Sequence, residues 1–459
     1  MSQVLGFSFV RANLHPAFLL GLFLFVLLQS ASAQNFELPR QTYWGASVLV
    51  SSKSGGGVVR RITPATPAEK AGLKVGDVIL EVNGKQIVNQ KTYDAIYKAI
   101  PSGETAVLRV SREGKPVEIR LTPIPLPKET IKGVDVIYDS VVTEKGHRVR
   151  TIITKPENTP GRLPSIFFVP WLSCDSIEAP VNLSHGWART LRGLAEKSGF
   201  VLMRVERPGL GDSEGPDCSQ NDLQTDVAAY RAGLQALKKY DFVDTNNLFL
   251  LGGSLGGALA PILEQGEDVR GLIVSGGFAK TWYEHMLWIE RTRLEMSGKT
   301  PAETNQAMRG YSEFYSLYLN EKLTPAEVIR RKPALASLWT DEPESQYGRP
   351  AAFYHQVQDL NVEGAWEKIS VPVLIVYGEY DFIMSGEDHE LAARIVNRNH
   401  PGKAQYVVVP KMNHLMDIFG NREKAFKFEG GKFDEKVVTL MVDWLKNNQS
   451  DKSTKSNRS

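Results

Sequence analysis

Two kinds of apolar spacing divide the chain. Between Tyr43 and Pro123 the runs are short. Val58-Val59-Arg60-Arg61-Ile62 and Val78-Ile79-Leu80-Glu81-Val82 predict strands, and Asn83-Gly84 predicts a tight hairpin turn. Residues 67–73 predict a short helix opened by proline and closed by glycine. Residues 92–100 predict a second, with Tyr93, Ile96, Tyr97 and Ile100 on one face. From Val134 onward, apolar runs of buried-strand type at 165–169, 201–205, 248–251, 269–275, 373–377 and 406–409 are separated by helical periodicity at 187–197, 223–238 and 390–397. An antiparallel pair, 134–138 with 148–154, precedes them, and a helix at 437–446 closes the set. This alternation predicts an α/β fold with a doubly wound, mostly parallel sheet that takes its ligand at the carboxyl ends of its strands. The alternation stops over residues 278–360. That segment is aromatic-rich, lacks a strand run, and predicts a helical insertion. Thr122-Pro-Ile-Pro-Leu-Pro127 opens a proline-rich linker, 124–133, which predicts a stiff spacer at the domain boundary.

The ends of the chain read differently. Residues 17–28 are apolar, Arg11 is the only charge before them, and Ala31-Ser32-Ala33 follows. The run is too short for a comfortable bilayer span, so residues 1–33 are expected to be a secretory signal peptide; the alternative is an uncleaved anchor. Residues 448–459 are polar and expected to be disordered. Export would make the mature protein periplasmic or secreted, and after cleavage no membrane segment is expected. The 54 basic and 52 acidic residues leave a net charge of +2, which offers no electrostatic case for nucleic acid. Two cysteines permit one pairing, Cys174 with Cys218, and an oxidising compartment favours that disulfide.

The run from Thr66 to Gly84 closely resembles PDZ domains, which implies a small α+β PDZ domain over residues 43–123. The family adds an extended peptide end to its sheet beside a helix, with loop N–H groups on the terminal carboxylate. Carried over, the carboxylate loop is Tyr43, Trp44, Gly45 and Ala46, the strand is 47–50 and the helix is 92–100. The implied partner is a peptide C-terminus. Ala46 stands where the family usually has a large apolar residue, and a PDZ fold that packs on its neighbour without binding peptide is the alternative.

Candidate chemistry lies in the second half. Gly252-Gly253-Ser254-Leu255-Gly256 follows an apolar run and fits the Gly-x-Ser-x-Gly elbow, a tight strand-to-helix turn in which side chains at the flanking positions would collide with neighbouring elements. Serine needs a base, and the base needs an acid that fixes its tautomer. Asp381 follows one late strand and His414 the next. In element order and site position residues 134–447 resemble the α/β-hydrolase fold, with residues 278–360 as a cap. The resemblance implies Ser254 as nucleophile, His414 as general base and Asp381 as the orienting acid, with Leu255 and Leu172 supplying the oxyanion hole. Pro170 and Trp171 stand where relatives usually have His-Gly. A Cys174–Cys218 bridge would pin this oxyanion loop to residues 208–215. Asp212 is the rival acid. Its Arg207-Pro-Gly-Leu-Gly-Asp-Ser-Glu-Gly215 context resembles the family's Gly-x-Gly-x-Ser loop and suits no dinucleotide. Asp388 and Asp417 read as helix-start or surface acids, and His285 and His355 lie in the insertion, where they could face the substrate, although single histidines there are more often packed or solvated. No residue spacing implies a metal or a cofactor.

The combined expectation is an exported serine hydrolase that cleaves a carboxylic ester through an acyl-enzyme on Ser254. The alternatives are a serine peptidase or aminopeptidase guided by the PDZ domain, which would turn Glu290 or Glu295 toward a substrate amine, and a peptide-binding scaffold with an inactive hydrolase domain. The substrate is a small-molecule or peptide acyl compound.

Overall fold

The computed structural model describes residues 38–51, 55–178 and 185–450. The expected signal peptide, 1–33, lies outside the described residues, as do residues 451–459 of the expected tail. The larger sheet has eight strands: β1 (Val134–Val142), β2 (Arg148–Pro156), β3 (Leu163–Val169), β4 (Val201–Val205), β5 (Val243–Gly253), β6 (Gly271–Ser275), β7 (Val373–Gly378) and β8 (Ala404–Val409). Their order is β8-β7-β6-β5-β3-β4-β2-β1. β2 runs antiparallel to both of its neighbours, and β3 to β8 are parallel. β4 lies on one side of β3 and β5 on the other, so the winding reverses at β3. The crevice beyond the carboxyl ends of β3 and β5 is therefore where such a sheet holds a ligand.

Both faces of the sheet are covered, which is why its strands read as continuous apolar runs. Ile166 and Phe168 of β3 pack with Trp187, Leu191 and Leu194 of helix α1 (Gly186–Lys197). Phe167 and Val169 face the opposite core, with α2 (Leu223–Leu237) and α3 (Leu255–Glu264). Phe167 and Phe168 are both fully buried, and each contributes roughly 1.5–3 kcal/mol relative to exposure.

The insertion contains α4 (Trp282–Met296), α5 (Pro301–Tyr315) and shorter helices including Pro325–Arg331 and Ala351–Gln358. Thr281 and Thr300 start α4 and α5 with capping boxes to Glu284 and Glu303. The expected absence of strand is corrected at one place: Ser345–Gln346 pairs antiparallel with Arg349–Pro350 around a Tyr347-Gly348 turn with positive φ at both residues. A two-residue ladder of Ser345, Gln346, Arg349 and Pro350 leaves no apolar alternation to read. Many of the insertion's aromatics form its own core, as where Phe314 stacks on Trp339 at 5.0 Å.

The N-terminal domain is a sheet of Ala46–Ser51, Gly56–Ile62, Val78–Val82, Ala106–Arg112 and Lys115–Leu121 in that order, with helix Gln90–Lys98 beside its first strand. The proline-rich linker is not a lone spacer. Ile124–Pro125 pairs antiparallel with Thr42–Tyr43, and the Leu126 N–H donates to the Gln41 carbonyl at 2.9 Å. The chain thus joins the two domains as a two-stranded ribbon. Arg40 fixes the ribbon to the larger domain through Glu178 and Asp212, and Arg150 pairs with Asp212 at 3.1 Å.

Glu206, directly after β4, is buried and holds the chain beyond β3: its Oε1 accepts from the Ile177 N–H at 2.9 Å and from the Ser176 hydroxyl. Burial pushes its carboxyl from the ordinary 4.5 up to about 7. The folded protein holds this proton more tightly than the unfolded chain does. The resulting stabilisation is complete below the unfolded value of 4.5 and is lost as pH rises to about 7. In urea melts, wild-type stability minus that of Glu206→Gln should fall by on the order of 3 kcal/mol across this window. Parallel pH profiles for the two proteins would show that Glu206 does not titrate there.

Candidate active site

Ser254 joins β5 to α3 at φ 55 and ψ −124, a region costly for a residue with a side chain. Its N–H donates to the Ser275 carbonyl at 2.8 Å, and its own carbonyl accepts from the Gly257 N–H at 2.7 Å. The turn brings the start of α3 against the end of β3. A Cβ on Gly256 would lie 1.9 Å from the Val169 carbonyl oxygen, so this position requires glycine.

Asp381 follows β7 and His414 follows β8, and the structure brings both to Ser254. His414 Nε2 lies 3.0 Å from Ser254 Oγ, and Nδ1 lies 2.8 Å from Asp381 Oδ2. An ionised carboxylate accepts only, so Nδ1 carries the proton and Nε2 is free to accept from the hydroxyl. Asp381 Oδ1 accepts from the N–H groups of Ile383 and Met384 at 2.8 and 2.9 Å. Burial opposes ionisation of this carboxyl, but His414 and the Met384 N–H outweigh it and hold the group below its usual range. The indole of Trp187 donates to the His414 carbonyl at 3.2 Å and fixes the loop.

Of the two proposed oxyanion donors, Leu255 opens α3 and Leu172 lies on the loop after β3; both line the cleft with Ser254. Among the described residues, nothing accepts from either N–H. Trp171 fits in place of glycine because its ring turns into an aromatic group, 5.8 Å from Phe168 and 6.3 Å from Trp187. Cys174 and Cys218 are bonded and tie this loop to the chain beyond β4. Buried Arg207 donates to the carbonyls of Trp171 and Ser173 and pairs with Asp226 at 3.1 Å. Arg349 of the insertion pairs with the same carboxylate and donates to the Cys218 carbonyl at 2.7 Å.

The cleft has a volume of about 360 Å³ and a mainly apolar lining. Helix α4 presents Trp282, His285, Ile289 and Arg293 to it. Sequence reasoning placed His285 in the insertion as a histidine that could face the substrate, and missed Arg293, although the 3-4-4 spacing marks one helix face. Burial lowers the His285 pKa to about 4 and keeps the imidazole neutral at pH 7. His389 was also missed. The Gly276 N–H donates to its Nε2 at 3.0 Å, so its Nδ1–H donates to the Ser385 carbonyl at 2.7 Å, and the neutral ring supports the turn beneath His414.

Several candidates lie elsewhere. Asp212, the rival acid, is bound to Arg40 and Arg150 at the domain junction. Asp388 is a helix-start acid as expected, but a buried one, accepting from the N–H groups of Ala279 and Lys280 at 3.0 Å. Asp417 accepts from the Gly186 N–H at 3.3 Å and pairs with Arg189. His355 is hydrogen-bonded to the Leu323 carbonyl at 3.2 Å. Glu290 is held by Tyr315 and Arg293, and Glu295 pairs with Arg291. In the N-terminal domain, Gly45 and Ala46 lead into the strand at the sheet edge, beside helix Gln90–Lys98. Trp44 is buried with its ring 5.0 Å from that of Tyr97, and Tyr43 is committed to the ribbon with Ile124.

Gly276 has φ +70, and a Cβ there would lie 2.8 Å from His414 Cε1. Gly276→Ala should displace the imidazole and lower turnover of an activated ester by about 100-fold, while far-UV circular dichroism stays native. Undiminished turnover would mean that the His414 position has no bearing on the chemistry.

The sequence model of the alpha/beta hydrolase family matches residues 183–425, and that of the PDZ domain matches residues 5–122. A probable periplasmic serine endoprotease DegP-like of Pseudomonas fluorescens is 34% identical over 103 residues, 22% of this chain and 21% of that protein. One of Marinomonas sp. is 40% identical over 70 residues, 15% of each. The chain thus spans about a fifth or less of the length of these curated relatives. Among solved structures, Est1E from Butyrivibrio proteoclasticus is 16% identical over 68% of this chain and 98% of its own, with a TM-score of 0.44. An esterase of Pyrococcus furiosus is 12% identical over 71% of this chain and 97% of its own, with a TM-score of 0.42. With the hydrolase model matching more than half of its length, the chain belongs to the alpha/beta hydrolase family and carries a PDZ domain at its N-terminus.

Proposed function

We propose that the protein is an exported serine hydrolase that cleaves a carboxylic ester. The observation that carries this reading is the continuous hydrogen-bonded line from Ser254 through His414 to Asp381, with distances of 3.0 and 2.8 Å. In the first step His414 Nε2 takes the Ser254 proton as Oγ bonds to the ester carbonyl carbon. The carbonyl oxygen becomes an oxyanion held by the N–H groups of Leu255 and Leu172. Collapse of this intermediate breaks the bond to the alcohol oxygen, which leaves with the proton from His414. Water repeats the sequence on the acyl-enzyme and releases the acid and free Ser254.

Ester is favoured over aminoacyl amide by the lining of the cleft. The carboxylates that would hold a substrate amine are engaged elsewhere: Glu290 with Tyr315 and Arg293, and Glu295 with Arg291. Asp175, the one carboxylate among the described lining residues, is exposed and accepts from the Ser173 hydroxyl at 2.7 Å. Arg293, which also lines the cleft, would repel an amine. Export is supported by the Cys174–Cys218 bridge and the signal-like residues 1–33. In this reading the PDZ domain takes a peptide C-terminus along the free edge of strand Ala46–Ser51.

A fluorophosphonate probe should label the mature protein and leave Ser254→Ala unlabelled, with labelling of His414→Ala slowed by at least about 1,000-fold. Asp381→Asn should lower kcat on an activated ester by about 1,000- to 10,000-fold, because the imidazole then loses its fixed tautomer. An aminoacyl amide turned over faster than any ester would replace this reading with the peptidase, and an unlabelled wild type would leave the scaffold.

A further inference from the structure

The lining of the cleft has a polarity that ester hydrolysis alone does not require. Trp282, His285, Ile289 and Arg293 form one stripe of α4, and all four line the space that also holds Ser254 and His414. His285 is buried, its ring packed 5.9 Å from that of Phe278 and 4.5 Å from that of Trp282, and it shares the cleft lining with Ser254 and His414. Arg293 lies eight residues further on, ~12 Å along the axis at the helical rise per residue. Its side chain leans back toward the N-terminus of the helix, which shortens that gap. Ile289, between His285 and Arg293, gives the intervening wall an apolar surface.

The Arg293 guanidinium is only partly committed. Its Nη1 donates to Glu290 Oε1 at 3.3 Å and to the Tyr347 hydroxyl at 3.0 Å. Glu290 Oε1 also accepts from the Tyr315 hydroxyl at 3.1 Å. Among the described residues, no acceptor meets Arg293 Nε or Nη2, the edge of the fork that binds a carboxylate with two parallel hydrogen bonds. A guanidinium serving Glu290 alone would need neither that open edge nor a position on the cleft wall. Among the described lining residues Arg293 is also the one permanent cation.

We infer that Arg293 is a specificity-determining residue that binds a carboxylate on the substrate, so that the preferred substrates are esters carrying a free carboxylate beyond an apolar spacer. This rests on the Ser254 reading. Tyr347 packs under the guanidinium, 5.7 Å from ring centroid to the arginine Cζ, and holds it in place from the insertion. The neutral His285 adds no competing positive charge near the ester.

The test uses p-nitrophenyl monoesters of adipic, suberic and sebacic acid beside the same compounds with the distal carboxylate methylated. In the wild type, kcat/KM at the best spacer length should favour the free carboxylate by about 10- to 100-fold, mostly through KM, as for a charge-assisted bidentate pair. Salt should erode that preference. The ratio should fall to about one in Arg293→Gln and to an intermediate value in Arg293→Lys, which keeps the charge for Glu290 but loses the fork. A second readout needs no turnover: monomethyl suberate should slow fluorophosphonate labelling of Ser254 more than dimethyl suberate does, and should lose that advantage in Arg293→Gln. A wild type that labels and hydrolyses the neutral esters without preferring the charged ones overturns the inference and leaves the esterase reading intact. A preference that survives Arg293→Gln also overturns it. Failure to label would strike the Ser254 reading instead.

Discussion

The site depends on one strained turn. Holding Ser254 at φ 55 costs on the order of 1–3 kcal/mol, and the hydrogen bonds to Ser275 and Gly257 together with the buried strand before it oppose relaxation. Because the turn is so tight, α3 starts directly above the end of β3, where Gly256 admits the Val169 carbonyl. That contact brings the loop carrying Leu172 beside the serine. The reversal of strand order at β3 then leaves room for Asp381 and His414 to arrive from β7 and β8. Fold and constellation are in this sense one constraint.

A second constraint is ionic and buried. Asp226 on α2 is shared by Arg207, which follows β4, and Arg349 of the insertion. Charges out of water are expensive, and hydrophobic replacements often serve stability equally well. What the node adds is registration. Arg207 holds the carbonyls of Trp171 and Ser173, and Arg349 holds that of Cys218, so the loop after β3, the disulfide and the insertion are referred to one carboxylate. The loop that departs most from the usual family pattern, at Pro170 and Trp171, is the one that this node fixes.

The sheet, the elbow and the meeting of Ser254, Asp381 and His414 were legible in the sequence because each rests on local signals: buried runs, a glycine-flanked serine, and an acid and a histidine after successive strands. Residues whose meaning depends on distant partners were not legible. Asp212 sits in a glycine-rich loop suited to a catalytic acid, yet Arg40, 172 positions away, binds it. His389 is one of several histidines until Gly276 and Ser385 are seen against its two nitrogens. The spacing of Trp282, His285, Ile289 and Arg293 was readable as one helix face. Which way that face turned was not, because the insertion has few alternating runs to orient it.

The proline-rich linker shows how local rules mislead when a partner strand is far away in sequence. Pro123, Pro125 and Pro127 predict a stiff extended spacer, and the backbone is indeed extended, but an edge strand tolerates proline when the partner uses the other positions. Thr42 and Tyr43 supply that partner, so the chain enters and leaves the PDZ domain along the same ribbon. Arg40 then binds the ribbon to Asp212, while Lys98 at the end of the PDZ helix lies 3.4 Å from Asp217. Both carboxylates belong to the stretch between β4 and α2 that also carries Cys218, and Cys218 is bonded to Cys174 on the loop after β3. One segment therefore receives the PDZ domain on one side and braces the loop beside Ser254 on the other.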